Sequence, residues 1–256
     1  MSAKVITFYN KKGGVGKTTL SVLFASYLAY GCGAKVKLYD FEYPDYPADA
    51  MRTRDIEHLK GGEGELQEWV ERNGQKGAFK IEKFGSENYT VKDLREFFGR
   101  FQSEKENGGL DYIVVDFPAS YNTLSPTSIL LASHCVDLCV IPTDTSSLNE
   151  WSAWNTHSIL KKNEVRSLWL WNNLSWYDKT QGVAAKHERQ LTESLPGVEF
   201  APWAVKAFTK AKRESDSKYF VMNTLCWPED NVKRYVPELP GLFEWIKERL
   251  DTFISG

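Results

Sequence analysis

The stretch Lys11–Thr19 reads Lys-Lys-Gly-Gly-Val-Gly-Lys-Thr-Thr, and it follows the apolar run Val5–Phe8. The apolar run is typical of a buried strand, and the residues from about Lys17 onward have the pattern of a helix. A glycine-rich turn between a strand and a helix directs unpaired backbone N–H groups and the positive end of the helix dipole at one point. This stretch therefore predicts a phosphate-binding loop.

The residue types in the loop fit the binding of a nucleoside triphosphate. Glycines let the backbone adopt positive φ and approach phosphate oxygens without a Cβ in the way. Lys17 would contact the β- and γ-phosphates, and the hydroxyl of Thr18 would be a ligand of Mg²⁺. The predicted nucleotide-binding residues of the loop are Gly13, Gly14, Val15, Gly16, Lys17, Thr18 and Thr19.

Segments with strand and helix patterns alternate along the chain, which is typical of a parallel sheet covered on both faces. The predicted strands after Val5–Phe8 are Lys35–Tyr39, Phe79–Phe84, Tyr112–Val115, Val136–Ile141 and Ser167–Trp171. The predicted helices are Thr18–Tyr30, Ala48–Leu59, Leu66–Glu71, Thr90 to about Glu104, Leu148–Lys161 and Leu242–Ile254. With 256 residues the chain can bury one full core, so we expect a single domain, 1–256.

The loop departs from the common P-loop pattern, which requires glycine at position 11, where this chain has lysine. The string Lys-Gly-Gly-x-Gly-Lys-Thr resembles the deviant Walker A motif of the ParA/MinD family of P-loop ATPases. The resemblance implies an α/β P-loop NTPase fold with a mostly parallel central sheet, and ATP and Mg²⁺ as ligands. It also implies an ATP sandwich dimer, in which Lys12 of one subunit would reach the nucleotide phosphates of the other.

Acidic residues end two of the predicted strands, at the edge of the sheet where open α/β proteins bind their ligands. Tyr112–Asp116 has the Walker B form, four apolar residues followed by an acid. Asp116 would hold Mg²⁺ through a water molecule. The next residues, Phe117–Ser120, resemble the Asp-x-Pro-Pro-Ser segment of ParA proteins.

The other acidic strand end, Asp40–Pro44, resembles switch I of the family, where the second acid of Asp-x-Asp orients the attacking water. Glu42 stands in that place, and its longer side chain would move the carboxylate by about 1 Å, enough to change hydrolysis by orders of magnitude. The sequence leaves open whether Glu42 hydrolyses ATP slowly or Asp40 shares the role. The predicted catalytic residues are Lys12, Lys17, Asp40 and Glu42. The string Asp40–Pro47 also resembles ParA-type proteins of Bacteroides conjugative elements, often named TraA, with Glu42 and Asp45 as departures.

The resemblance also assigns contacts to the adenine base. In related folds an asparagine at the end of a late strand bonds the base, and Asn172 is a better candidate than Asn173 because it directly follows the apolar run. Pro202 resembles a residue of the family's loop over the base. Both residues are therefore predicted to contact the nucleotide.

Basic residues are concentrated in Lys206–Lys218, although the net charge of the chain is −2. Lys206, Lys210 and Arg213 recur at helical spacing and could form one stripe. ParA proteins use such residues to hold DNA non-specifically once ATP has dimerised them. A solvated helix face is the alternative interpretation.

The cysteines and the hydropathy narrow the class of protein further. The four cysteines include no Cys-x-x-Cys pair, which fits a reducing cytoplasm. Iron–sulfur carriers that share this loop need bridging cysteines, and Cys135 and Cys139 have the wrong spacing. No apolar run approaches the roughly 20 residues of a membrane span. We therefore expect a cytoplasmic protein, and the resemblance to ParA proteins implies that it is associated with the nucleoid when ATP is bound.

Two functions remain open at this point. The first is a slow, partner-stimulated ATPase that partitions or positions a plasmid or mobile element, with a ParB-like or mobilisation partner. The second is a MinD-like ATPase that cycles on a membrane, with Leu242–Ile254 as an amphipathic anchor. The polar face of that segment mixes acidic and basic residues, so packing in the core is the better interpretation and membrane binding is not expected.

Overall fold

One parallel sheet organises the computed structural model of the chain. The structure describes residues 2–60, 78–85, 89–119, 125–175, 182–195, 197–206 and 224–252. The strands are β1 (Lys4–Phe8), β2 (Val36–Asp40), β3 (Lys80–Lys83), β4 (Tyr112–Asp116), β5 (Leu138–Thr143), β6 (Ser167–Trp171) and β7 (Glu199–Phe200). These seven strands are hydrogen-bonded in the order β3-β2-β4-β1-β5-β6-β7, and every pair is parallel. The predicted α/β fold with a parallel sheet is confirmed.

Helices cover both faces of this sheet. In the described residues they are α1 (Lys17–Ser26), α2 (Pro47–Lys60), α3 (Val91–Asn107), α4 (Pro126–Ala132), α5 (Ser147–Lys162), α6 (Val183–Ser194), α7 (Glu229–Tyr235) and α8 (Glu238–Asp251). A π-helical turn, Tyr27–Gly31, follows α1 directly. Residues of α1, α7 and α8 pack into one core, and residues of α3, α4 and α5 pack into the other.

Alternate residues of each strand enter these two cores. In β1, Ile6 and Phe8 join the core under α1 and α8, whereas Val5 joins the core under α3 and α5. Because both faces are covered, such strands read as nearly continuous apolar runs. The sheet order also makes β2, β4 and β1 consecutive neighbours. Their carboxyl ends therefore bring Asp40, Asp116 and the glycine-rich loop to one edge.

The sequence patterns do not predict α4, α6, α7 and β7. The start of α4 carried a readable signal, since Ser125 is the N-cap, accepts a hydrogen bond from the Ser128 N–H, and precedes a proline. The corresponding signal at Thr90, whose hydroxyl accepts from the Asp93 N–H, is predicted correctly. β7 contains only two residues, which is too short for an alternating pattern.

The last helix begins earlier than its pattern predicts. α8 starts at Glu238 rather than Leu242, because Pro240 lies in the first turn, where a helix needs no N–H from it. The apolar side chains of α8 are buried in the core, as expected: Leu239, Leu242, Phe243, Ile246 and Leu250. No helix of the described ranges is both long and apolar enough to cross a bilayer. The helix predicted at Leu66–Glu71 lies outside those ranges.

Candidate active site

The glycine-rich loop has the backbone conformation that only glycine adopts freely. Gly14 has φ 77° and Gly16 has φ 89°, both in the left-handed region. A Cβ on Gly16 would lie 2.5 Å from Asn172 Nδ2, so any side chain there would collide with the asparagine. Gly16 is the N-cap of α1, which begins at Lys17 as predicted from the loop. The loop thus enters the helix by the tight turn that phosphate binding requires.

A buried asparagine that sequence reasoning missed fixes the loop to the rest of the sheet. Asn10 is fully buried between β1 and the loop. Its Nδ2 donates to the Pro142 carbonyl at 2.9 Å, and its Oδ1 accepts from the Lys12 N–H at 3.0 Å and the Ser152 hydroxyl at 2.6 Å. The only available signal was a polar residue directly after a buried strand. Asn10 therefore positions the residue that precedes the glycines.

Lys17 is held inside the loop rather than in solvent. Its side chain is buried, and Nζ donates to the Lys12 carbonyl at 3.1 Å. Burial lowers the pKa of Lys17, and the carboxylates of Glu42 and Asp116 oppose that change. A cation at this depth, beside exposed glycines, is placed to gain from an anionic ligand.

Asp116 ends β4 in a fully buried position. Its Oδ1 accepts from the Ser21 hydroxyl at 3.1 Å, and its Oδ2 has no hydrogen-bond partner within the described residues. Burial raises the pKa of Asp116 to about 7, while the hydroxyls of Thr18 and Ser21 lower it and the charges of Asp40 and Glu42 raise it further. A buried oxygen without a donor, beside other acids, fits the binding of a cation.

The two acids after β2 have different surroundings. Asp40 is buried, and both of its oxygens accept backbone N–H groups: Oδ1 from Glu42 at 3.2 Å, and Oδ2 from Ala48 at 2.9 Å and Asp49 at 3.2 Å. It therefore caps the first turn of α2. Burial raises the pKa of Asp40 to about 6, against the lowering effect of these backbone bonds. Glu42 is half-buried, and its Oε2 accepts from the Thr18 hydroxyl at 3.3 Å.

Asn172 lies against the loop. Its side chain is buried, its Nδ2 donates to the Val15 carbonyl at 2.8 Å, and its Oδ1 has no partner among the residues described. The contact to the loop was not predicted, whereas the contact to adenine stays a prediction. Pro202 is exposed, in the segment that joins β7 to Val205.

The residues predicted to bind DNA are only partly described. Lys206 is exposed and forms an isolated β-bridge with Leu174. Leu174 follows Asn172 by two residues in the chain. Lys210 and Arg213 lie outside the described residues.

Comparisons with known proteins agree with this arrangement. Residues 3–61, which include β1, the loop, α1 and β2, match a family model described as an AAA domain. MinD, a cell division protein from Aquifex aeolicus, superposes over 97% of this chain and 98% of its own, with 17% identity and a TM-score of 0.64. The chain has the fold of the ParA and MinD proteins.

Two further solved structures share this fold and contain a nucleotide. A putative plasmid partition protein from Borrelia burgdorferi, bound to AMPPNP, has 16% identity and a TM-score of 0.60 over 96% of this chain and 99% of its own. An McdA variant from Cyanothece, in complex with ATP, has 18% identity and a TM-score of 0.58 over 98% of this chain and 97% of its own. No curated protein matches the sequence significantly.

The buried carboxyl of Asp116 predicts a pH dependence of stability. Its pKa of about 7 exceeds the ordinary value of 3.8, so the folded protein binds this proton more tightly than the unfolded chain. The stability that results is present below the unfolded pKa and is lost as pH rises through about 7. Between about pH 5 and pH 8, the free energy of unfolding should fall by on the order of 2 kcal/mol more in the wild type than in Asp116→Asn.

Urea denaturation without nucleotide, in the presence of a chelator, measures this difference. Asp40, whose pKa is raised to about 6, contributes a smaller decrease of the same sign to both proteins. Parallel pH profiles of the two proteins would contradict the assignment of this slope to Asp116.

Proposed function

We propose that the protein is an ATPase of the ParA/MinD type that dimerises when it binds ATP and acts as a switch on DNA. The observation that carries the proposal is the convergence of three strand ends on one loop. The buried Lys17 ammonium, the Thr18 hydroxyl, and the carboxylates of Glu42 and Asp116 lie together, linked by the bonds and charges described above. This is the set of groups that binding and hydrolysis of a nucleoside triphosphate require.

The donor set fits Mg²⁺. Thr18 and Asp116 would hold the ion, Asp116 through a water molecule, and the ion would neutralise phosphate charge during hydrolysis. No group of three His, Cys, Asp or Glu side chains suited to a metal occurs in the described ranges. Mg²⁺ that is bound together with substrate phosphates usually takes one or two protein carboxylates, and Asp116 would supply one here.

Glu42 is the better candidate for orienting the attacking water. Its Oε2 makes a long bond to the Thr18 hydroxyl, which leaves it lone pairs for a water molecule. The oxygens of Asp40 already accept three backbone N–H groups. We therefore propose that Asp40 holds the segment Asp40–Pro44, called the switch segment, and the start of α2 in place. Glu42 would orient the attacking water.

Lys12 is proposed to act on the partner subunit. Its backbone is fixed by Asn10, and its ammonium makes no hydrogen bond or ion pair with any described residue. An exposed cation beside the loop, fixed at its backbone and free at its tip, suits a contact in trans.

The lysines of the loop give a paired prediction. Lys17→Ala should weaken ATP binding by about 10- to 100-fold, because a charge-assisted contact to phosphate is lost. Lys12→Ala should leave ATP binding by the monomer largely intact and abolish ATP-dependent dimerisation. Isothermal titration and sedimentation velocity measure the two effects. An equal loss of ATP affinity in both variants would mean that Lys12 acts within its own subunit.

The two acids after β2 give a second pair. Glu42→Gln should retain Mg-ATP binding and lower kcat by about 100-fold or more, because the uncharged amide no longer accepts a proton or orients water. Asp40→Ala should instead lower the free energy of unfolding by about 1–2 kcal/mol, because α2 loses its cap. The opposite result would be full turnover in Glu42→Gln and normal stability without turnover in Asp40→Ala. It would mean that Asp40, and not Glu42, orients the attacking water.

Binding to DNA is proposed from the basic residues after β7. Phosphate contacts carry no base information, so binding should be indifferent to sequence, and a dimer should present twice the number of basic residues. Replacing Lys206, Lys210 and Arg213 by Glu should abolish ATP-dependent DNA binding and preserve ATPase activity. The matched control replaces the exposed Lys92, Lys161 and Lys186 by Glu, with the same change of charge.

Filter binding at about 50 mM salt tests the prediction. If the wild-type ATP dimer does not retain duplex DNA at this salt concentration, the proposal that the protein binds DNA is wrong. The MinD-like alternative, a membrane-cycling ATPase, would then be tested by sedimentation with liposomes. The buried apolar face of α8 disfavours that alternative.

The cellular role is proposed from the sequence resemblances and the shared fold. The fold occurs in plasmid partition proteins and in MinD, which is also known in a complex with MinC. With the likeness of Asp40–Pro47 to TraA-type proteins, this supports a role on a plasmid or conjugative element. A ParB-like or mobilisation partner would stimulate slow hydrolysis, and the ATP-bound dimer would reside on the nucleoid.

A further inference from the structure

A row of aromatic side chains follows the carboxyl ends of four strands, next to the candidate active site. One aromatic residue comes directly after each of β1, β2, β3 and β4: Tyr9, Phe41, Phe84 and Phe117. In the order of the strands in the sheet, neighbouring rings are in contact. The ring centroids are 5.9 Å apart for Phe84 and Phe41, 5.7 Å for Phe41 and Phe117, and 5.7 Å for Phe117 and Tyr9. We call these four residues the aromatic row.

The aromatic row and the active-site acids lie on opposite faces of the sheet. The row packs in the core that α3, α4 and α5 cover. Side chains alternate between the two faces along a strand, so the residue before each ring points away from this core. In β2 and β4 that residue is an acid, Asp40 or Asp116. Asp116 accordingly bonds to Ser21 of α1, on the other face. The ends of β2 and β4 thus carry an acid on one face and a ring on the other.

The backbone of the row is hydrogen-bonded to the same two acids. The Phe41 N–H donates to the Asp116 carbonyl at 3.1 Å, and the Phe84 N–H donates to the Asp40 carbonyl at 3.0 Å. Phe41 is also the single residue between Asp40 and Glu42. Its backbone therefore connects the acid that caps α2, the acid proposed to orient water and the acid proposed to hold Mg²⁺.

Phe41 is enclosed by other rings. Its side chain is buried, and its ring stacks on the ring of Phe117 with an interplanar angle of 22°. It also meets the ring of Phe97, from α3, edge-on at 5.4 Å between centroids. Protein interiors are close-packed, so a ring with such neighbours cannot move without displacing them. The packing of Phe41 therefore fixes the backbone on both sides of it.

We propose that Phe41 is a positioning residue for ATP hydrolysis, which acts by holding Glu42 in a fixed place relative to Asp116. The inference rests on the proposed function, in which Glu42 orients the attacking water. Asp40 and Asp116 are register partners whose like charges repel, and the stacked rings of Phe41 and Phe117 hold the two strand ends together from the other face. A displacement of about 1 Å at the reacting groups can lower a rate by about 100-fold. The phosphate-binding loop does not depend on the ring of Phe41, so ATP would still bind without it.

The test compares Phe41→Leu with a matched control, Phe101→Leu. Phe101 is fully buried in the same core, and its ring packs against Tyr39 and Phe97. Both substitutions remove one buried ring and keep an apolar side chain. Phe117→Leu removes the ring on which Phe41 stacks, and it decides the question by the same criteria if Phe41→Leu does not fold. Isothermal titration with AMPPNP gives the nucleotide affinity, and phosphate release gives kcat, at a temperature well below the unfolding midpoint of each protein.

We expect Phe41→Leu and Phe117→Leu to lower kcat by about tenfold or more, with an AMPPNP affinity within about twofold of the wild type. Phe101→Leu should retain the wild-type kcat. Equal kcat in Phe41→Leu and Phe101→Leu would overturn the inference alone. A wild type that does not hydrolyse ATP would overturn the proposed ATPase activity, and this inference with it.

A second comparison tests whether Phe41 acts through Glu42. When Glu42→Gln has already removed the group that orients water, adding Phe41→Leu should lower kcat by less than about twofold, because the two changes remove the same function. Adding Phe101→Leu to Glu42→Gln serves as the control. If Phe41→Leu lowers kcat as much in Glu42→Gln as in the wild type, Phe41 does not act through Glu42, and the inference is wrong.

Discussion

The site depends on the placement of two buried carboxylates side by side. Asp40 and Asp116 are register partners at the ends of β2 and β4, and both are fully buried. The charge of Asp40 raises the pKa of Asp116, and Lys17 is a buried cation whose pKa the charge of Asp116 raises in turn. Like charges in a low-dielectric interior persist only where donors or cations compensate them. The two buried carboxylates therefore require nearby donors or positive charge even when no ligand is bound.

The two acids meet this demand in different ways. The carboxylate of Asp40 accepts hydrogen bonds from three backbone N–H groups, and it therefore fixes the switch segment and the start of α2. Asp116 keeps one oxygen without a donor. Asp40 thus has a structural role, because its carboxylate accepts N–H groups at the start of α2, whereas Asp116 stays available for the proposed binding of Mg²⁺.

The sequence predicted the parts of the site that follow a motif. The loop, Lys17, Asp116 and the parallel sheet were accessible because glycine spacing and apolar runs report local backbone and burial directly. The side-chain contacts that hold the loop in place could not be predicted from the sequence. Asn10 and Asn172 hold it through contacts to Ser152 and Val15, which are distant in the chain, and no local pattern encodes such pairs. Short elements such as β7 and α4 offered too few residues for a period.

Helix α2 extends the influence of Asp40 beyond the site. Near its other end Asp55 is buried and accepts both the N–H and the hydroxyl of Thr224 at 2.8 Å, and Arg52 donates to the Thr224 hydroxyl and carbonyl at 2.9 and 2.8 Å. Tyr30, after α1, donates to the same carbonyl at 2.8 Å. The N–H, the carbonyl and the hydroxyl of Thr224 are thus all bound to α2 or to the π-helical turn after α1. Helix α2 therefore connects Asp40, at its first turn, to Thr224, which lies just before the C-terminal helices α7 and α8.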